Sequence, residues 1–134
     1  METLDLTTFE NAVNSLKSII VRYEKENDID LRDSVIQRFE YTYSISLKMI
    51  KRYLKQNELS EDEINGMTFN EIIRRANQFG LLNSNLEIWN DYRQNRNMTS
   101  HTYDEETAQK VMTIIPAFKE EAEFLLNKLK EKLA

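Results

Sequence analysis

The sequence predicts an all-α fold, an up-and-down bundle of about five helices. Helix breakers are rare, because the 134 residues include only two glycines and one proline. Apolar side chains recur at spacings of three and four, the period of a helix that buries one face. No stretch alternates apolar and polar residues as a half-buried strand would. A chain of this length can bury a core of its own, so we expect residues 1–134 to form a single helical domain.

The first two helices are expected at residues 7–24 and 31–56. Asp5, Thr7 or Thr8 can cap the start of the first. Its single apolar stripe consists of Phe9, Ala12, Val13, Leu16, Ile19, Ile20 and Tyr23. The second helix has two stripes, Ile36, Phe39, Tyr43, Leu47, Ile50 and Leu54 on one and Val35, Thr42, Ile45 and Met49 on the other. A helix that is apolar on two sides packs on two sides, either inside its bundle or against a partner chain.

A polar stretch, residues 57–66, is expected to form a loop after the second helix. Thr68 and Glu71 form a capping box that opens the third helix, and Gly80 is suited to end it. The fourth helix is expected at about residues 83–97. Its stripe continues from apolar residues into two arginines at the same spacing, in the order Leu82, Leu86, Trp89, Arg93 and Arg96. The two guanidinium groups are therefore expected at the edge of the core or in a cleft.

The fifth helix is expected over residues 105–133. Its apolar positions are Ala108, Val111, Met112, Ile115, Ala122, Leu125, Leu126, Leu129 and Leu133. Pro116 lies within this segment, lacks a backbone N–H and clashes with the preceding turn. We therefore expect the fifth helix to be kinked or split near Pro116.

The composition excludes several classes of function. The chain has no cysteine, so it has neither disulfides nor thiolate metal sites, and we expect no metal and no cofactor. No apolar run is long enough to cross a bilayer, and the acidic segment 1–5 does not resemble a signal peptide; a cytoplasmic protein without membrane contact is expected. The net charge of −5 opposes general attraction to nucleic acid, although the basic run at residues 48–55 still allows a basic groove.

The segment between the fourth and fifth helices concentrates the residues suited to chemistry. It holds the only histidine, His101, which can give and take protons near neutral pH. Arg96 can bind a phosphate through two parallel donors, and in an extended link Tyr103 would lie on the same side as His101. Such a set could cut an RNA backbone without a metal. From spacing alone, however, a surface histidine and an arginine favoured by the helix dipole are the more frequent outcome.

A short motif begins at the end of the fourth helix, where Arg96 is followed by four residues and His101, and then by one residue and Tyr103. This motif resembles the signature of HEPN toxins of the HepT type, also known as the nucleotidyltransferase substrate-binding protein family. Residues 33–43 resemble the long second helix of that family, and the two blocks stand in the family's order. The resemblance therefore covers most of the chain. One departure lies at residues 44–48, where the family commonly has a more apolar run.

The resemblance implies a helical bundle that forms a twofold dimer, with the two motifs meeting in a cleft at the interface. It implies a metal-independent ribonuclease in which Arg96 and His101 are catalytic and the polar Asn97 assists. The implied partner is a minimal nucleotidyltransferase antitoxin, which transfers AMP from ATP to Tyr103. The added nucleotide would place a phosphate charge and a base beside His101 and would compete for Arg96.

Two further arginines, Arg93 and Arg38, are candidates for binding the RNA substrate, and Glu40 could lie with Arg38 in the same cleft. Charged residues on a bundle helix are, however, more often ion pairs or solvated. Two alternatives to a nuclease stay open. The chain could be a non-catalytic subunit that presents a nucleotide or another substrate to a separate nucleotidyltransferase. It could also be a helical interaction protein in which the Arg–His–Tyr arrangement is accidental.

Overall fold

A computed structural model describes residues 4–57 and 59–133 of the chain. Within these ranges the protein consists of six α-helices, one 3-10 helix and no strand, so the predicted all-α fold is confirmed. The helices are α1 (Thr7–Glu26), α2 (Ile29–Asn57), α3 (Glu61–Asn65), α4 (Phe69–Gln78), α5 (Leu86–Asn97) and α6 (Glu105–Leu133), and the 3-10 helix covers Thr99–His101. Residues 1–3 and 134 of the predicted domain, and residue 58 of the predicted loop, lie outside the described residues.

An aromatic cluster joins α2, α5 and α6 at the centre of the core. The ring of Phe118 in α6 lies 5.2 Å from that of Phe39 in α2 and 5.2 Å from that of Tyr92 in α5, measured between centroids. Trp89 lies 5.3 Å from Tyr92 in the same edge-to-face manner, a geometry that adds to the gain from apolar burial. The cluster fixes α5 against the two long helices, and this sets the position of the arginines that α5 carries.

Both apolar stripes of α2 are covered inside the chain. Val35, Ile45 and Met49 of the second stripe are buried, and the hydroxyl of Thr42 donates to the carbonyl of Ala12 in α1 at 3.3 Å. The neighbouring helix α1 therefore covers the face for which the sequence left a partner chain open. The double stripe consequently gives no support to a dimer, and the predicted dimer needs other grounds.

The segment predicted as a polar loop contains the short helix α3. At its start, the hydroxyl of Ser60 accepts from the Glu63 amide at 3.1 Å, and the Glu63 carboxylate accepts from the Ser60 amide at 3.4 Å. This is a capping box, and Ile64 behind it is buried. The loop prediction is wrong because one buried apolar residue creates no helical period, although the capping pattern itself is present in the sequence.

Two other helix ends follow from local sequence. Gly80 follows α4 with a φ of 75°, the left-handed conformation that glycine adopts without steric cost, as predicted. The start of α5 lies later than predicted, because Asn85 caps it by accepting from the Ile88 amide at 3.1 Å.

The helix α6 is not split at Pro116 and continues on both sides of it. Pro116 is exposed, and its missing N–H leaves the carbonyl of Met112 without its usual intrahelical partner. Within the described ranges, none of the helices combines the length and the apolar composition required to cross a membrane.

Candidate functional site

The motif turn, defined as residues 98–103, is a 3-10 helix followed by a turn, and the predicted extended link is wrong. The amide of His101 donates to the carbonyl of Met98 at 3.0 Å, and the amide of Asp104 donates to the carbonyl of His101 at 3.2 Å. These bonds between residues three apart favour a tight turn over an extended strand. The rings of His101 and Tyr103 are nevertheless neighbours, with centroids 6.4 Å apart. Both side chains are exposed, that of Tyr103 to 88%.

Glu40 of α2 connects the motif turn to the bundle. Its carboxylate lies 3.7 Å from Nη2 of Arg96, the penultimate residue of α5. The hydroxyl of Thr99 lies 3.1 Å from the other carboxylate oxygen and 2.7 Å from the carbonyl of Arg96, and it can donate to either one. The interpretation of Glu40 as half of an ion pair is therefore confirmed, with Arg96 as the partner. The pair restrains the arginine that the motif predicts to be catalytic.

The acidic depression is a surface pocket of about 280 Å³ between α2 and the motif turn. Tyr103 and Thr102 line it from the turn, and Asp33, Gln37 and Glu40 line it from α2. The exposed tyrosine that the motif predicts to be modified therefore stands beside two carboxylates.

The basic groove is a larger pocket of about 390 Å³ between α2, α4 and α5. Four cationic side chains line it, Lys48, Lys51, Arg93 and Arg96. Asn97 also lines it, and among the residues that the structure describes no carboxylate lines the groove. The sequence indicated a solvated face as the more frequent role of the run at residues 48–55. Lys48 and Lys51 are exposed, in agreement with that role, and they also line a groove together with the motif arginine.

Tyr43 of α2 also lines the basic groove. Its hydroxyl oxygen is buried and has no hydrogen-bond partner within the described part of the chain. Burial raises the pKa of Tyr43 to about 12, and the positive charges of Arg93 and Arg96 act in the opposite direction. The hydroxyl therefore lies within electrostatic reach of both arginines of α5.

The two arginines proposed as further substrate-binding residues have different environments. The guanidinium carbon of Arg93 lies 4.6 Å from the ring centroid of Phe69, a cation–π contact at the wall of the basic groove. Arg38 instead donates to the carbonyl of Ser15 in α1 at 3.2 Å, and it lines neither the basic groove nor the acidic depression. The structure thus brings Arg93, Arg96 and Asn97 together and leaves Arg38 at the contact with α1.

His101 lies beside Tyr103 but lines neither the basic groove nor the acidic depression. Arg96 at the end of α5 lines the basic groove, whereas His101 in the following 3-10 helix does not. A catalytic site that used both Arg96 and His101 would therefore need a second protein surface to enclose it.

An ion pair that was not predicted holds the other end of the motif turn. Nη1 of Arg32, which is 8% exposed, lies 2.7 Å from Oε1 of Glu105 at the start of α6. The donated hydrogen bond lowers the pKa of Glu105 below its ordinary value. The two residues are 73 positions apart, so no local pattern could have revealed the pair.

The comparisons with known proteins agree with this fold. Residues 4–131 match the family described as nucleotidyltransferase substrate binding protein like. The chain therefore belongs to that family.

Individual proteins and solved structures are also similar to this chain. The chain is 37% identical over 140 residues to a protein of Haemophilus influenzae named probable ribonuclease HepT, with 98% of this chain and 95% of the relative covered. A solved Haemophilus influenzae structure, described as revealing the fold of a substrate binding domain of a nucleotidyltransferase, superposes with a TM-score of 0.87 at 38% identity, covering 94% of this chain and 99% of the other. A Thermus thermophilus structure has a TM-score of 0.73 at 28% identity, covering 90% and 98%. The resemblance to HepT-type proteins is thus confirmed.

Proposed function

We propose that the chain is a ribonuclease that cleaves RNA without a metal ion, using Arg96 and His101. The observation that carries the proposal is the placement of both residues, solvent-accessible, on the end of α5 and the adjoining 3-10 helix. The 37% identical relative named a probable ribonuclease supports it.

The chemistry follows from the two side chains. One imidazole takes the proton of an RNA 2′-hydroxyl, and the resulting oxygen attacks the adjacent phosphorus. An imidazolium gives a proton to the departing 5′-oxygen, which leaves a 2′,3′-cyclic phosphate and a 5′-hydroxyl. Arg96 donates to the phosphate oxygens and stabilises the charge that builds up at the five-coordinate phosphorus, while Asn97 can donate to the same oxygens.

A twofold dimer supplies what one chain lacks. Each chain has a single histidine, whereas the reaction needs both a base and an acid. Since His101 is exposed and does not line the basic groove with Arg96, a second protomer facing the motif turn would enclose the site and provide the second imidazole. This is the ground for the dimer that the double stripe of α2 does not provide.

Tyr103 is proposed as the site at which the ribonuclease is silenced. Its hydroxyl attacks the α-phosphorus of ATP in a partner nucleotidyltransferase, forming a phosphodiester to AMP and releasing pyrophosphate. A tyrosine that is 88% exposed can enter the active site of another enzyme. The attached phosphate adds negative charge beside His101 and competes for Arg96. In this proposal the chain is the toxin and the transferase the antitoxin, and both act in the cytoplasm.

Cleavage of a labelled RNA by the purified chain in the presence of EDTA tests the nuclease. His101→Ala and Arg96→Ala are each expected to lower the rate by at least about a hundredfold, the range for loss of an acid–base or charge-stabilising group. Arg22→Ala is the control, because Arg22 is an exposed residue of α1 that lines neither the basic groove nor the acidic depression. Undiminished cleavage by the His101 variant would exclude the mechanism.

The second candidate is a non-catalytic subunit that presents a nucleotide to a separate transferase. The descriptions of the matched family and of the Haemophilus influenzae structure favour it. It predicts a complex with the transferase and binding of a nucleotide, with no RNA cleavage. Intact mass spectrometry after co-expression separates the two, because only a silenced toxin gains AMP on Tyr103 and loses nuclease activity as it does so.

A further inference from the structure

We propose that the basic groove binds single-stranded RNA, holding the nucleotides next to the phosphodiester bond that Arg96 and His101 cleave. The inference rests on the proposed ribonuclease function and assigns to it a binding surface outside the motif turn. The groove lies between α2, α4 and α5 and ends at Arg96 and Asn97. A strand in the groove would therefore lead directly to the catalytic arginine.

The charge of the groove fits a phosphate backbone. Lys48 and Lys51 form no ion pair within residues 4–57 and 59–133, and no groove-lining residue is acidic. Arg93 is held by the ring of Phe69 rather than by a carboxylate, so the contact orients the guanidinium and leaves its charge available. On a chain with a net charge of −5, such a local surplus of positive charge calls for an anionic ligand.

The hydroxyl of Tyr43 is a second, independent indication of a ligand. Tyr43 is 4% exposed, its hydroxyl has no partner among the described residues, and buried polar groups are otherwise almost always hydrogen-bonded. The hydroxyl lies within electrostatic reach of Arg93 and Arg96. Tyr43 also lines the groove, but its hydroxyl oxygen is shielded from solvent in the chain alone, so a phosphate or ribose oxygen held by these arginines would pair with it once the neighbouring groove side chains move aside.

The groove also has an apolar wall, which favours a single strand over other anions. Leu47, Met67 and Phe69 line it beside the cations. Unpaired bases bind apolar and aromatic side chains while their phosphates bind lysine and arginine. An acidic peptide offers the charges without the bases, and the bases of a duplex are stacked on one another. Cations beside an apolar wall therefore match unpaired RNA.

Binding of a fluorescent single-stranded RNA to the His101→Ala protein tests the groove without cleavage of the probe. In that background, Lys48→Glu/Lys51→Glu is expected to weaken binding at least about tenfold near 0.1 M salt. The plot of the logarithm of the binding constant against the logarithm of the salt concentration should also become less steep by about 1.4, which is about 0.7 for each lost contact between a lysine and a phosphate. Arg74→Glu/Lys110→Glu changes the charge equally at two exposed positions outside the groove and is expected to stay within about twofold of the parent. Circular dichroism verifies the fold, and Lys48→Gln/Lys51→Gln replaces the reversal if that variant does not fold.

The outcomes separate the groove from the nuclease. If both charge reversals weaken binding equally, only net charge matters and the groove proposal is wrong. It is also wrong if poly-glutamate or AMP binds as tightly as the RNA. If the wild type cleaves RNA but the groove variant binds normally, the groove is refuted and the nuclease stands. If the wild type never cleaves RNA but the groove variant alone loses binding, the groove stands and the nuclease is refuted.

Discussion

Replacing Tyr43 with phenylalanine should stabilise the free protein and weaken its binding to RNA. The hydroxyl is buried without a hydrogen-bond partner in the described chain, and burying an unpaired hydroxyl costs about 1–3 kcal/mol in proteins. Phenylalanine keeps the ring, which packs 5.9 Å from Phe118 and 6.4 Å from Trp89 between centroids. We therefore expect Tyr43→Phe to raise the free energy of unfolding by about 1 kcal/mol while RNA binding falls several-fold.

Tyr92→Phe is the matched comparison, since Tyr92 belongs to the same aromatic cluster and is also buried. Its hydroxyl, however, is not among the buried oxygens that lack a partner, and the Ser84 side chain lies close enough to lower its pKa, so its removal should lower the free energy of unfolding by about 1 kcal/mol. Urea unfolding followed by circular dichroism measures both variants. A loss of stability in Tyr43→Phe equal to that in Tyr92→Phe would mean that the Tyr43 hydroxyl is already bonded in the free protein, and would refute this reasoning.

Three further predictions concern stability. Burial raises the pKa of Tyr43 and of Tyr92 to about 12 from 10.0. Because the unfolded chain loses these protons first, the contribution of the two tyrosines to stability should be constant below pH 10 and fall as the pH rises toward 12, which alkaline thermal melts measure. Phe118→Ala, which removes a fully buried ring that contacts α2 and α5, should lower the free energy of unfolding by about 3–5 kcal/mol, and a loss below about 1 kcal/mol in urea unfolding would contradict the described core. Glu40→Gln should change the free energy of unfolding by less than about 1 kcal/mol, since the side chains of Glu40 and Arg96 are 44% and 37% exposed. A larger loss in urea unfolding would mean that the ion pair is better shielded from water than described.

The long helices could be predicted because their evidence is local and repeated. The stripe that begins at Phe9 defines α1 over about four turns, and the predicted fifth helix coincides with α6. The helix α3 was not predicted, because five residues with one buried side chain, Ile64, are too few to establish a period. The motif turn was assigned the wrong conformation because nothing in its spacing distinguishes an extended link from a 3-10 helix.

The candidate site was predictable as a set of residues but not as an arrangement. The sequence placed Arg93 and Arg96 on the face of α5 that continues the buried stripe, and both line the basic groove. It could not show that Glu40 pairs with Arg96 or that Arg38 turns to α1, because each partner lies on another helix. Such contacts depend on how the helices are placed against one another, which the aromatic core determines.

The net charge of the chain is also a poor guide to nucleic-acid binding, because it does not show where the charges lie in the fold. A total of −5 argues against nucleic-acid binding only if the charges are evenly distributed. The fold instead separates them: Lys48 and Lys51 face α4 and α5 across the basic groove, while Asp33 and Glu40 line the acidic depression beside Tyr103. Because charges beyond about 10 Å are screened at cellular salt, an RNA strand in the groove responds to the nearby lysines and arginines more than to the total. An acidic protein can therefore bind RNA at one groove and repel it elsewhere, which confines the strand to the surface that leads to Arg96.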